Sequence, residues 1–236
     1  MRARWNSEAA QRMAREGRQG RIDVQNKSKS VLRDTRKTAA PRRSAAVERK
    51  TRETSVSVDL ALDGSGRGEA RTGVPFLDHM LESFARHGFF DLTIKAAGDL
   101  HIDDHHTVED VGIVLGRAFR EALGDRSGIR RFGEASVPLD EAVCTAIVDI
   151  SGRSYLGYNV QISQERVGNF QTELVHDFMK AMTDEVGMNL HLNLISGRNP
   201  HHIIEATFKA LARAMDHATQ PEPRLKGVLS TKGTLT

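Results

Sequence analysis

His105-His106-Thr107-Val108-Glu109 and, almost a hundred residues later, His201-His202-Ile203-Ile204-Glu205 decide how this chain is read. Two adjacent histidines with a glutamate three residues on are uncommon, and here the surroundings repeat too. His79, in Leu77-Asp78-His79-Met80, lies 26 residues before His105, and His176, in Val175-His176-Asp177-Phe178-Met179, lies 25 residues before His201. Between each lone histidine and its pair come an amphipathic stretch, a glycine (Gly88, Gly187) and an alternating run (Phe90 to Ile94, Met188 to Leu192). Each pair then opens a long segment of apolar residues at helical spacing. The chain is internally duplicated, and each half carries the same metal-ligating residue types.

The spacing has a geometric consequence. On a helix, residues four apart share a face, whereas neighbours point about 100° apart. His105 and Glu109 therefore lie together and His106 is turned elsewhere, and the same holds for His201, Glu205 and His202. One helix start can thus feed two separate ions. Six histidines and two glutamates divide into two sites of three imidazoles and one carboxylate, with positions left open for substrate or water on an octahedral ion. The donor set suits Mn, Fe, Zn or Ni. His87 precedes a helix-ending glycine, His101 sits in a polar loop, His191 in a strand-like run and His217 near a helix end, and none of them is read as a ligand.

At 236 residues the chain can hold a sizeable core. Its charge is unevenly spread: residues 1–50 contain 15 Lys+Arg against 5 Asp+Glu, and the remainder 19 against 26, so a basic arm precedes an acidic body. Residues 1–47 read as a disordered, solvated arm, too charged and too poor in large apolar residues for a packed core. With only Trp5 as an aromatic, the arm lacks the stacking side chains of a single-strand binder, and nucleic acid is not an expected partner. The single cysteine, Cys144, rules out an intramolecular disulfide and sits in an alternating run as a buried strand residue. No apolar stretch approaches the ~20 residues needed to span a bilayer, and no apolar h-region marks residues 1–30 as a signal peptide. A cytoplasmic enzyme is the expectation.

From Glu53 the pattern changes. Val56, Val58, Leu60 and Leu62 alternate as a half-buried strand ending at Asp63-Gly64-Ser65-Gly66, and a short strand at Glu69–Arg71 would complete a hairpin. Pro75 opens a helix over Phe76–His87, closed by Gly88. A strand at Leu92–Ala96 and a helix from about Asp104 to Leu123 follow. The second half repeats the order, with a strand around Val143–Asp149, another at Tyr155–Val160, a polar loop at Ser163–Gln171, helix Thr172–Val186, strand Met188–Ile195 and helix Pro200–Ala218. The fold class is a duplicated α+β arrangement, with a body over 48–236, repeats at about 53–124 and 134–220, and a tail at 221–236. Because both halves donate ligands, the sites are expected between halves or between subunits.

These residues carry a resemblance to imidazoleglycerol-phosphate dehydratase, covering about residues 48–236. It rests on Arg52-Glu53-Thr54, on Gly73-Val74-Pro75-Phe76-Leu77-Asp78-His79-Met80, on the two histidine-pair motifs, on Gly128-Ile129-Arg130-Arg131-Phe132-Gly133, on Asp149-Ile150-Ser151-Gly152-Arg153, and on Ser230-Thr231-Lys232-Gly233. The resemblance implies a subunit with helices packed between two four-stranded sheets, two Mn(II) ions per active site, other divalent metals being possible, and a 24-subunit homo-oligomer with shared sites. It implies metal ligation by His79, His105, His106, Glu109, His176, His201, His202 and Glu205, and phosphate binding by Arg131, Arg153, Lys209, Ser230 and Lys232. It also implies contact between Glu53 and the substrate near the chemistry. The basic arm departs from the family pattern, and no phosphatase domain is present, so a monofunctional enzyme is expected.

The chemistry implied is a hydro-lyase reaction of histidine biosynthesis, from imidazoleglycerol phosphate to imidazole-acetol phosphate. The proton removed is not acidic in the substrate, because no carbonyl flanks it. If two metals hold the ring as an imidazolate, the ring can expel the hydroxyl to give a diazafulvene, after which the neighbouring C–H becomes acidic. Glu53 is the candidate general base or acid, and Glu109 and Glu205 join it as carboxylates at the chemistry. Arg131 and Arg153 suit bidentate phosphate contacts, and Lys209 and Lys232 supply point charges. Lys209 lies two turns after His201, which by helix rise sets phosphate about 12 Å from the metals. Neither NAD nor PLP is required. A dinuclear metallohydrolase would be expected to use bridging carboxylates, usually aspartates, where this chain is rich in histidine. A non-enzymatic metal-binding or nucleic-acid-binding protein would place its function in the arm.

Overall fold

Val56, Val58 and Leu60 point inward as their alternation requires, and the strand they form, β2 (Thr54–Ala61), lies second in a four-stranded sheet. The computed structural model describes residues 43–235. Its first sheet contains β1 (Ser44–Lys50), β2, β3 (Gly68–Arg71) and β4 (Asp91–Gly98) in the order β1-β2-β4-β3, with helix α1 (Pro75–Gly88) between β3 and β4 and α2 (His105–Leu123) after β4. The second half contains β5 (Phe132–Leu139), β6 (Ala142–Asp149), β7 (Tyr155–Asn159), α3 (Leu174–Val186), β10 (Asn189–Ser196) and α4 (Pro200–Thr219). Its sheet runs β5-β6-β10-β7, the same topology. Two short strands, β8 (Arg166–Val167) and β9 (Phe170–Gln171), pair within the segment read as a polar loop. Helix α2 packs on β1 and β2, α4 packs on β5 and β6, and the helices meet between the sheets. The α+β duplication and its layering are therefore as expected.

Three local readings are corrected. The arm was bounded at residue 47, yet Ser44–Lys50 form β1, antiparallel to β2 over their whole length. Only Val47 of its seven residues is buried, so this edge strand carries almost no hydrophobic alternation. The remainder of the arm reading, residues 1–42, lies outside the described residues. Second, β3 does not form a hairpin with β2; it pairs parallel with β4, with α1 as the crossover. The Asp63–Gly66 turn crosses the start of β4, where Asp91 accepts hydrogen bonds from the backbone N–H of Ser65 (2.8 Å) and Arg67 (3.2 Å). Turn residues announce a change of direction but not the next partner. Third, Gly88 belongs to the last turn of α1, and Phe89 takes the left-handed conformation (φ 57°). Gly88 serves close packing, since a Cβ there would stand 2.3 Å from the Phe90 ring.

The core explains why the helices sit where they do. Phe84, Phe90 and Phe119, from α1, the start of β4 and α2, form a ring cluster with centroids 5.1–6.0 Å apart. Each such pair adds about 0.5–1.5 kcal/mol beyond burial. Cys144 is buried on the inner face of β6 with Ala142, Ala146 and Val148, as the sequence indicated. Gly112 and Gly116, one turn apart on α2, face α3: a Cβ on either would lie 2.8 Å from the carbonyl oxygen of Phe178 or Met182. Bare backbone at these two positions lets the helices approach closely. Among the described residues no helix is long and apolar enough to cross a membrane.

Candidate active site

Each histidine pair stands at a helix start, held there by a short polar side chain. Asp103 accepts from the His105 backbone N–H and Asn199 from that of His201, each at 2.9 Å. These contacts satisfy two of the otherwise unpaired amides of the helix ends. Pro200 opens α4 with its preset φ.

Candidate ligands gather across the two halves. His79 on α1 meets His201 and Glu205 on α4: Glu205 Oε2 lies 3.4 Å from His79 Nε2 and 3.1 Å from His201 Nε2. Among the described residues these three form a group whose ligand atoms all lie within 4.8 Å of one another. Two ligands each about 2.1 Å from an octahedral ion stand about 3 Å apart, so the donor atoms fit a divalent cation. Phe76 packs edge-on against the His201 ring, 5.2 Å between centroids. Burial pushes the Glu205 carboxyl up, but the hydrogen bond and charge of Lys209, with His201, leave it net below its ordinary value.

On the other helix pair, His105 of α2 and His176 of α3 converge on Asp177. Their Nδ1 atoms lie 3.5 and 3.3 Å from its carboxylate oxygens. Tyr158 packs edge-on against the His176 ring, as Phe76 does on His201. Glu109 is exposed one turn along from His105. The close helix approach at Gly112 and Gly116 is what sets α2 and α3 side by side beneath these rings.

The second histidine of each pair turns away, as the helical spacing predicts. His106 Nδ1 lies 3.0 Å from Asp99 Oδ2 and 4.0 Å from the Glu53 carboxylate. His202 Nδ1 lies 2.8 Å from Glu141 Oε2, with Asp140 3.8 Å from its other nitrogen. The hydrogen bond to Asp99 raises the His106 pKa, and that to Glu141 raises the His202 pKa. Glu141 in turn is held at about 2, chiefly by His202 and then by the backbone N–H of Asn199. Each half-site within one chain thus gathers two of its three expected imidazoles.

Arg131, Arg153, Ser230 and Lys232 line one cavity of about 590 Å³. Arg131 adopts φ 70°, a conformation that costs a non-glycine residue about 1–2 kcal/mol. It is held there by Asp149, which takes Nε at 2.6 Å and Nη2 at 3.0 Å, and by the Leu229 carbonyl at 2.6 Å from Nη1. Three of its five N–H groups are so engaged, and two remain for a ligand. Lys209 is not in this group. Its ammonium bonds Glu205 Oε1 at 2.7 Å, because a helical side chain leans back toward the preceding turn.

Residues 72–215 match the imidazoleglycerol-phosphate dehydratase family. The chain belongs to that family. The imidazoleglycerol-phosphate dehydratase of Geobacter sp. (strain M21) is 58% identical over 193 residues, which is 82% of this chain and 99% of the relative. That of Lachnoclostridium phytofermentans is 53% identical over 193 residues, 82% of this chain and 98% of the relative. The crystal structure of imidazoleglycerol-phosphate dehydratase from Staphylococcus aureus N315 superposes with a TM-score of 0.69 at 39% identity, over 75% of this chain and 99% of that one. The Pyrococcus furiosus structure, solved in complex with (S)-C348, gives 0.70 at 38% identity, over 80% and 100%. Imidazoleglycerol-phosphate dehydratases are hydro-lyases, and this chain is an enzyme of that class. Sequence reasoning overlooked Asp99, Glu141 and Asp177 at the site; single acids outside the repeated motif gave no signal, although Asp177 adjoins His176.

Proposed function

We propose that this chain is a metal-dependent dehydratase that converts imidazoleglycerol phosphate to imidazole-acetol phosphate in the cytoplasm, as a step of histidine biosynthesis. The observation that carries the reading is the convergence of His79, His201 and Glu205 from two halves of a chain of this family. His79, His201 and Glu205 would hold one divalent cation and His176, His105 and Glu109 the other, Mn(II) suiting this hard-to-intermediate donor set. Cations held by these residues would supply Lewis acidity to the substrate ring, the chemistry that loss of the adjacent hydroxyl calls for.

The remaining work falls to the chain. Arg131, Arg153, Ser230 and Lys232 grip the phosphate, and the bidentate hold of Asp149 on Arg131 presents its guanidinium already oriented. Lys209 neutralises the outer oxygen of Glu205, leaving Oε2 directed at the histidines. Glu53, exposed and 4.0 Å from His106, is the acid–base group that takes the C–H proton beside the carbon losing hydroxide; water leaves and the resulting enol tautomerises to the ketone. His106 and His202 face away from the clusters of their own chain, so they complete sites on neighbouring copies. A homo-oligomer with shared sites, of 24 subunits as the resemblance implies, fits that need.

The test is removal of metal with a chelator, readdition of Mn(II), and assay of ketone formation from imidazoleglycerol phosphate. Activity should vanish on stripping and return with Mn(II). A fully metallated protein without activity would refute the reading.

A further inference from the structure

The duplication aligns more than the histidines. The buried residues Val56 and Val58 of β2 correspond to Cys144 and Ala146 of β6, and the same offset places Glu53 opposite Glu141, each just before its strand. These equivalent glutamates differ in what they touch. Glu141 binds His202 Nδ1 at 2.8 Å, while Glu53 stands 4.0 Å from His106 Nδ1 and its side chain is 59% exposed. In the first half Asp99 takes that nitrogen instead, at 3.0 Å, with a side chain only 12% exposed. By the strand pairing that equates Val56 with Cys144, Ala96 of β4 corresponds to Leu194 of β10, so Asp99, just past the end of β4, corresponds to Gly197, just past the end of β10, which has no carboxylate.

We infer that Asp99 and Glu141 are positioning residues with one task, each accepting the Nδ1 proton of the second histidine of a pair so that Nε2 is the nitrogen offered to a cation, and that Asp99 thereby releases Glu53 for proton transfer. The inference rests on the proposed ligand role of His106 and His202. A neutral imidazole carries its proton on one nitrogen and a lone pair on the other, so a carboxylate on Nδ1 fixes the tautomer as well as the ring plane. The Glu141 carboxylate is itself anchored. Glu141 Oε1 accepts from the backbone N–H of Asn199 at 2.8 Å and of Arg198 at 3.2 Å, tying the β5–β6 turn to the start of α4. Asp99 presents both oxygens to His106, at 3.0 and 3.3 Å. Two unrelated positions of the repeat have arrived at the same nitrogen, which coincidence of surface packing does not explain.

The experiment uses the full-length protein. Asp99→Ala, Glu141→Ala and the milder Asp99→Asn and Glu141→Gln are compared with His106→Ala and His202→Ala. The readout is the Mn(II) dissociation constant by chelator competition with Mn(II) alone, after circular dichroism confirms folding. The alanine variants should bind Mn(II) about 10- to 100-fold more weakly, the amide variants less so because an amide oxygen still accepts, and ketone formation should recover as Mn(II) is raised. A merely structural role would not be reversed by metal. Affinity within twofold of the parent in all four carboxylate variants, while His106→Ala and His202→Ala lose binding, would overturn the inference. Normal affinity in the histidine variants as well would instead overturn the ligand reading on which it stands.

Discussion

Asp110 directly follows the first histidine motif and is buried, 6% exposed, behind it. Its Oδ2 accepts from Thr54 Oγ1 at the start of β2 and from Arg49 at the end of β1, so one carboxylate ties α2 to both strands. Asp110→Ala removes a hydrogen bond to a charged acceptor, about 1.5–3 kcal/mol, and leaves the hydroxyl of Thr54, itself 4% exposed, with only the Thr51 hydroxyl at 3.2 Å. The Arg49 side chain is 28% exposed, so its ion pair adds at most about 1 kcal/mol. The sum is about 2–4 kcal/mol, and at roughly 2–4 °C per kcal/mol for a chain of this size the melting temperature should fall by about 4–16 °C. Asp110→Asn, which keeps an acceptor, should lose about half as much. The assay is thermal unfolding of the metal-free protein, because a bound cation would add its own stabilisation. Thr54→Val combined with Asp110→Ala should be less than additive. A melting temperature within 1 °C of the parent for Asp110→Ala, or strict additivity of the pair, would refute the argument. Since Glu53 adjoins Thr54, kcat should fall as well.

Phe119→Ala should cost about 3–5 kcal/mol in urea unfolding, because the ring is fully buried against Phe84 and Phe90. Arg153→Ala should raise KM about 10- to 100-fold with a smaller change in kcat, the loss of one charged hydrogen bond to phosphate; unchanged constants would remove it from the site. Asp91 is held well below the usual carboxylate range, chiefly by its hydrogen bond to Arg67 and then by the Ser65 backbone N–H. A depressed folded pKa stabilises above the unfolded value of about 4 and loses that contribution as pH falls through and below it. The gap between melting curves of the parent and Asp91→Asn should therefore be full at pH 6, begin to narrow below about pH 4 and still be open at about pH 3, closing only as pH falls through the lower folded value; a gap already closed at pH 3, or one that never narrows below pH 4, would count against the assignment.

The helices were legible because their apolar spacing and end signals agree: Pro75 and Pro200 open α1 and α4, and Gly124 follows α2. The candidate ligands were legible because duplication printed them twice. Less could be read of how strands pair. The Asp63–Gly66 turn suited a hairpin, whereas β3 joined β4 through a helix, a long-range choice made by packing of α1 rather than by the turn. β1 was invisible because an edge strand need bury only one side chain in seven. That Lys209 reaches back to Glu205 was not legible either, because a helical wheel locates backbone positions, while the reach of a lysine within the chain is decided by the nearest carboxylate. The cross-over of the clusters, His79 with His201 and His105 with His176, required knowing which helices are neighbours.

Gly112 and Gly116 carry that last point further. Neither bears a donor atom, yet any side chain there would push α2 off α3 and carry His105 away from His176 and Asp177. Tolerance to substitution in this enzyme should therefore not track distance from the chemistry. A catalogue of variants that lose cation binding would be expected to hold two classes of position, the imidazoles and carboxylates that a chemist would choose and these two glycines several turns beneath them.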